Sequence, residues 1–306
     1  MTKLNFFILR KSAVFTLVAI LLLGCSDRTN PVVSDGNLSD ELPYSINNFQ
    51  PPKNFVAIYE PEMVLVEAGT FIMGCPPEHE DDCHEAWKPA HEVTLTNNYY
   101  IGKYQVTQKL WRLVMMGTEL EDPSAFKGDN LPIESVSWDD IVNEFLPKLN
   151  ALAGKEYRLP TEAEWEFAAR GGNESKGYKY SGSDDPDEVA TYTNGQIFYP
   201  NPTTVVGSLK ANELGIHDMS GNVLEWVNDK YSRYTADPKT NPAGAEISSQ
   251  RISRGGAWSN AYEDALRVYA RVSTISNHQS STYGFRLAIS PSTNSIKERP
   301  REIPQR

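Results

Sequence analysis

The chain has 306 residues, with 40 Asp and Glu against 29 Lys and Arg, for a formal charge of −11. That acidic balance excludes the basic footprint of a nucleic-acid binder. Hydrophobic residues at 40% and aromatics at 10% can build a core and are too many for a chain disordered throughout. The length suits one large irregular domain with flanking segments.

Lys3, Arg10 and Lys11 flank an apolar run from Ala13 to Leu23, shorter than the roughly 20 residues of a spanning helix. Residues 1–24 therefore read as an export signal. The run ends in Leu22-Leu23-Gly24-Cys25 and resembles a bacterial lipoprotein signal, which implies cleavage before Cys25, lipidation of that cysteine and a membrane anchor. An ordinary secretory signal with an incidental cysteine is the alternative. Ser26 as the second mature residue favours, by the same resemblance, the outer membrane of the envelope. Residues 25–55, rich in Ser, Asn, Asp and Pro, cannot bury enough apolar surface to offset ordering and read as a flexible stalk. The folded body is expected over 56–292, with a polar tail over 293–306.

Cys75 and Cys83 are the remaining cysteines, and in an oxidising envelope they most simply close a disulfide. The spacing Cys75-x3-His79-x3-Cys83-His84 also admits a zinc site. His91, His217 and His278 read as solvated or core residues rather than metal ligands. Met63 to Met73 predicts strand, turn and strand with Gly69 turning the chain. His91 to Thr96 alternates apolar and polar residues with the period of a half-buried strand. Thr107 to Met116 predicts a helix capped by Thr107, with Leu110, Leu113 and Val114 on one face. A second helix starts at Ser137, before Asp139 and Asp140, and kinks near Pro147. The third has a capping box, Thr161 with Glu164, buries Trp165, Ala168 and Ala169, and stops at Gly171-Gly172. From there to about residue 250, Gly, Asn, Pro, Asp and Tyr dominate and predict ordered loops with little regular structure.

Eight strings carry a family resemblance: GTFIMG at 69–74, HEVTL from 91, KYQVTQKLW from 103, PIESVSW at 132–138, YRLPTEAEWEFAARGG at 157–172, GIHDMSGNVLEW at 215–226, RISRGGAW at 251–258 and YGFRLA at 283–288. In type and order they resemble the formylglycine-generating enzyme, or sulfatase-modifying factor, domain, over roughly 60–290. The resemblance implies an α+β fold, an irregular mixed α/β architecture akin to C-type lectins, low in regular secondary structure and often calcium-bound. Enzymes of this family use two cysteines after an RGGSW-like motif to hold copper and oxidise a substrate cysteine. Here those positions fall on Asn260 and Ala265, the motif serine is Ala257, and the tryptophan usual between GNV and EW is Leu224. Neither an amide nor a methyl replaces a thiolate on Cu(I), so copper and formylglycine generation are not expected and no catalytic residue is assigned.

The calcium loop of the family is retained, which implies ligation by the Asp218 and Glu225 side chains and the Gly221 and Val223 carbonyls. Simple capping of the loop by the two carboxylates is the alternative. A second family site would use Asn194, for which no partner carboxylate follows. Between Trp258 and Gly284, Ser259, Asn260, Tyr262, Glu263, Asp264, Tyr269, Asn277, His278 and Tyr283 are amphipathic or adaptable polar residues of the kind recognition loops favour. The layout resembles the hypervariable segment of retroelement-diversified ligand-binding proteins, and a solvated loop of no special role is the competing reading. The expectation is thus a lipid-anchored binding protein for a protein or glycan ligand, or a subunit of an envelope assembly. An oxidase or maturation factor of the non-haem-iron branch is the enzymatic alternative.

Overall fold

The structure, a computed structural model, describes residues 60–78, 83–193, 202–260 and 262–291. The export signal, Cys25, the stalk, His79, Asn194 and the tail lie outside the described residues. Strands β1 (Met63–Val66) and β2 (Gly69–Met73) follow one another in sequence yet join different sheets. β2 pairs antiparallel with β3 (His91–Leu95), and β1 with β4 (Tyr99–Gly102). Gly69 is therefore no hairpin turn. It opens β2, where a Cβ would run into the Asn173 side chain and the Phe167 ring, so close approach rather than turning requires glycine.

β3 buries His91, Val93 and Leu95 and exposes Glu92, as its alternation predicts. Helix α1 (Gln108–Met115) is capped by Thr107, whose Oγ1 accepts from the Leu110 N–H. Its buried face is Gln108, Leu110, Trp111, Val114 and Met115, with Leu113 only half-buried. Ser137 and Asp140 form a reciprocal cap on α2 (Trp138–Asp140). Ahead of Pro147 the helix widens into one π turn, Ile141–Phe145, closed by Leu146 N–H to the Ile141 carbonyl, and resumes as α3 (Leu146–Ala153). Proline has no N–H for the carbonyl four residues back and would clash with it, and the wide turn absorbs that mismatch where a kink is predicted.

Past the short β5 (Tyr157–Arg158), helix α4 (Glu162–Ala169) carries the predicted Thr161–Glu164 box. Of its eight residues only Glu164 is not fully buried. Four-residue α5 (Pro186–Val189) follows, and then the main departure from expectation. The seven-residue β6 (Leu224–Lys230) crosses a segment predicted as loop and is central in its sheet. Its inward Glu225 and Asp229 are poor strand formers by type, and only partners distant in sequence make them acceptable there. Beyond it come β7 (Lys239–Thr240), β8 (Gln250–Arg254), β9 (Arg271–Ile275), β10 (Tyr283–Phe285) and β11 (Ala288–Ile289). Among the described residues the sheets run β1-β4-β11-β5, β10-β6-β8-β9 and β2-β3-β7. The arrangement is α+β with short elements and long ordered loops. Cys75 and Cys83 are joined in a disulfide, and no helix among the described residues is long and apolar enough to cross a membrane.

Helix α4 is bound to the second sheet by charge. The fully buried Glu166 carboxylate is paired with Arg254 and, at 2.6 Å, with Arg170. Glu162 pairs with Arg271 at 2.7 Å and accepts from the Tyr234 hydroxyl at 3.1 Å. Burial alone would raise the Glu166 carboxyl, but the Arg170 and Arg254 guanidiniums outweigh it and hold the group below its ordinary value. Such a group adds stability above its unfolded pKa and loses it as pH falls through the folded one. Glu166→Gln leaves Arg254 buried with half its charge partner gone, and is expected to cost about 3–5 kcal/mol by denaturant unfolding at pH 7, with a smaller deficit below pH 4.

Asp229 behaves oppositely. Burial, reinforced by the neighbouring Glu162 charge, pushes its carboxyl up to about 8. The folded chain then keeps a proton that the unfolded chain gives up near pH 4, so Asp229 erodes stability increasingly from pH 4 to 8. Asp229→Asn keeps an oxygen for the Glu162 N–H, which Asp229 Oδ2 accepts at 2.9 Å. The variant is expected to match the parent near pH 4 and to exceed it by on the order of a few kcal/mol at pH 8.5, read from unfolding curves across pH.

Candidate functional site

The turn between Ile216 and β6 is built from residues in the left-handed region: Asp218 (φ 57°), Gly221 (φ 83°) and Asn222 (φ 64°). At Gly221 a Cβ would strike the Thr191 backbone, and the Asn222 amide is tied to the Thr204 backbone at 3.0 and 3.2 Å. This curl turns successive carbonyls inward, where a chain in one regular conformation would point them elsewhere. The Asp218, Gly221 and Val223 carbonyls and Glu225 Oε1 lie 3.2, 3.5, 3.0 and 2.9 Å from one atom, Gln105 Nε2. Oxygens of Asp218, Gly221, Val223 and Glu225 thus surround a single point. Asp218 faces that point with its carbonyl, while its carboxylate, the ligand atom expected from the sequence, accepts from the Gly207 N–H at 2.7 Å. Burial holds that carboxyl above its ordinary range.

Glu225 is fixed from its other side. Arg286 Nε and Nη2 reach its two oxygens at 2.6 and 2.7 Å, and Trp165 Nε1 donates at 2.7 Å. Arg286 also donates to the Gly102 and His217 carbonyls, each at 2.9 Å, so one guanidinium spans from the end of β4 to β6. The donor set fits a hard cation: oxygens only, mostly carbonyl. A further observation agrees. Gln105 is buried and its Oε1 has no hydrogen-bond partner, although buried amide oxygens are nearly always satisfied. Gln105 is not among the residues the sequence singles out, because a polar residue between a strand and a helix cap carries no local sign of burial against a segment more than a hundred residues away.

Asn260 and Ala265, at the positions of the family's cysteines, do meet in space. Both line a cavity of about 60 Å³ with Trp87, Ser253, Gly256 and Arg271. Asn260 is committed to the loop, since its Oδ1 accepts from the Ala257 N–H at 2.6 Å and its carbonyl accepts from the Thr193 N–H and hydroxyl. Ser253 Oγ is buried without a protein partner, and the cavity is large enough for water to serve it. Cys75 and Cys83 are spent on each other, which removes the thiols of the zinc alternative. His84 Nδ1 accepts from the Ala86 N–H. His91 packs on Tyr234 and His217 on Tyr104.

The 258–283 surface divides by exposure. Ser259, Tyr262, Glu263, Asp264 and Asn277 are exposed, Tyr262 at 80%, while Asn260, His278 and Tyr283 are half-buried. Tyr269 is a correction: it is 1% exposed, packed edge-on to Trp87 and bonded to Arg267 at 2.8 Å, so it belongs to the core. Trp258 links the two exposed loops through Nε1 to the Ser281 carbonyl at 2.9 Å. Asp139 and Asp140 anchor the second loop through Ser276 and Gln279. His278 meets Tyr283 edge to face at 5.0 Å.

Residues 49–291 match the sulfatase-modifying factor enzyme 1-like domain. Chaperone protein LppX of Paenibacillus barcinonensis is 33% identical over 85% of this chain and 92% of its own length. The formylglycine-generating enzyme of Streptomyces coelicolor is 32% identical over 58% of this chain and 60% of its own. Among solved structures, Treponema denticola variable protein 1 aligns over 75% of this chain and 95% of its own, with a TM-score of 0.65 at 28% identity. PvdO from Pseudomonas aeruginosa aligns over 76% and 95%, with a TM-score of 0.64 at 28% identity. With the matched span covering most of its length and the motif residues packed into one fold, the chain belongs to the sulfatase-modifying factor enzyme 1-like family.

Proposed function

We propose that this chain is a non-catalytic binding protein of the bacterial cell envelope, holding a protein client at its 258–283 surface. The observation that carries this reading is the occupancy of the family's two cysteine positions by Asn260 and Ala265, side by side in one cavity. Without thiolates that cavity has no soft ligand for copper. The name of the Paenibacillus relative, a chaperone, favours a protein as the ligand over a glycan. Cys25 would carry the lipid anchor, outer-membrane directed, with residues 25–55 as the stalk. Calcium is the cation we assign to the 218–225 oxygens, held by Glu225 and the Asp218, Gly221 and Val223 carbonyls. Its contribution is structural: it neutralises and ties oxygens that would otherwise repel one another, next to loops with little ladder of their own.

The surface suits protein recognition on physical grounds. Tyr262 presents a large amphipathic ring at low entropic cost. It is flanked by Glu263, which accepts from the Tyr180 hydroxyl at 3.2 Å, and by Asp264, ion-paired to Arg267. An exposed aromatic held beside fixed acids is the composition of an interface anchor with a polar rim. To test it, p-benzoylphenylalanine is placed at position 262, and separately at 277, in the full chain expressed in its own envelope. Discrete cross-linked protein bands are expected at both positions, together with purified protein carrying neither copper nor iron. No protein cross-link at either position, or stoichiometric copper or iron, would overturn the proposal.

A further inference from the structure

The cradle at Gln105 contains an imbalance that hydrogen bonding alone does not resolve. A side-chain amide nitrogen has two protons, yet four oxygens lie within 3.5 Å of Gln105 Nε2. Glu225 is already served by Arg286 and Trp165. On the other arm of the same amide, Oε1 is buried with no donor. The cluster therefore has acceptors in excess on one side of the amide and an acceptor without a donor on the other. A cation among the four oxygens reverses the requirement, because an oxygen rather than an N–H must then face the centre.

We infer that Gln105 is a fifth protein ligand and the orientation switch of this cradle. The amide can face the four oxygens as a donor through Nε2 or a cation among them as a ligand through Oε1. Amide oxygen and nitrogen are nearly equal in size, so the exchange is a rotation about the last side-chain torsion within the same packing. The inference rests on the calcium assignment above and adds a residue from outside the 218–225 loop, coupling the cation to the segment that joins β4 to α1. Glu225 is the single carboxylate among the five oxygens and Arg286 offsets its charge. Affinity is accordingly expected in the range of extracellular calcium modules, on the order of 10⁻⁴–10⁻³ M.

The test is a calcium titration of the thermal midpoint of the chelator-treated full chain in detergent, with magnesium as control, for the parent, Gln105→Glu and Gln105→Met. The parent midpoint is expected to rise by about 3 °C at tenfold saturation and to respond little to magnesium, which tolerates such a cradle poorly. Gln105→Glu removes the donor and adds a charged oxygen. It should lower the midpoint in chelator and bind calcium about tenfold more tightly, so that the two curves converge or cross on titration. Gln105→Met should weaken calcium about tenfold, and if it does not fold, Gln105→Glu decides alone. A parent that calcium does not stabilise sinks the calcium assignment and the inference with it. A parent that responds, with both variants keeping its calcium affinity, leaves the assignment standing and overturns the role of Gln105. A Gln105→Glu variant that is destabilised and not rescued by calcium also overturns it, by making Gln105 a hydrogen-bond donor only.

Discussion

Buried carboxylate–guanidinium pairing is the constraint on which this structure depends. Glu162, Glu166 and Glu225 face Arg271, Arg254 and Arg286, and all six side chains are almost completely buried. Removing such ions from water costs several kcal/mol each, and their attraction offsets that only with close geometry and extra hydrogen bonds. Both are present. Each arginine also donates to backbone carbonyls, Arg254 to Ala270, Arg271 to Ser232 and Arg286 to Gly102 and His217, although Arg254 Nε and Arg271 Nε have no hydrogen-bond partner. Each pair therefore fixes a loop as well as a charge. In a fold with two-residue strands and a four-residue helix, ladder bonds alone could not define where those loops run.

The same pairs decide where chemistry can occur. Glu162 and Glu166 are four residues apart and share a face of α4, so the helix presents two anions to the β8 and β9 arginines. The sheet register sets Arg254 opposite both Glu225 and Arg271. One end of β8 thereby lies between the oxygen cradle and the small cavity, and the turn Gly255-Gly256 leaves it into the 258–283 loops. Gly221 N–H bonds the Gly255 carbonyl at 2.7 Å and Trp258 N–H bonds the Asn222 carbonyl at 2.8 Å. The cradle turn and the start of the 258–283 loops are consecutive parts of one hydrogen-bonded unit.

Legibility in the sequence follows the range of the interactions involved. Caps are local, so Thr107, Ser137 and the Thr161–Glu164 box are found where the residue types predict them. β3 shows through its alternation. β6 does not, because its inward acids are tolerated only through Arg286, Trp165 and the Glu162 backbone, all distant in sequence. Gly69 was misjudged for a related reason: its neighbours Phe167 and Asn173 lie about a hundred residues on, and a glycine needed for space cannot be told locally from one needed for a turn. At the cradle the loop residues were legible as a motif, but Gln105 was not, since nothing in KYQVTQ signals burial against the backbone of 218–223. Tyr269 is not legible as a core residue because tyrosine serves cores and recognition surfaces equally well, and its burial against Trp87 and Arg267 is set by the fold.

A scaffold of this family without the thiols has a physical rationale. In the catalytic pattern the residue at position 260 must be a soft metal ligand; here it is an amide that caps the Ala257 N–H and, through its carbonyl, holds Thr193. With both its amide oxygen and its carbonyl engaged, Asn260 is a structural residue of the loop. A cavity of about 60 Å³ holds water, not a side chain with its backbone, so any macromolecular ligand must be engaged outside it. The residues immediately outside are the exposed Ser259, Tyr262, Glu263 and Asp264. Support from β8, the ion pairs and the cradle fixes these loop side chains in place, which is the condition under which a partner docking there would cost the loops least entropy.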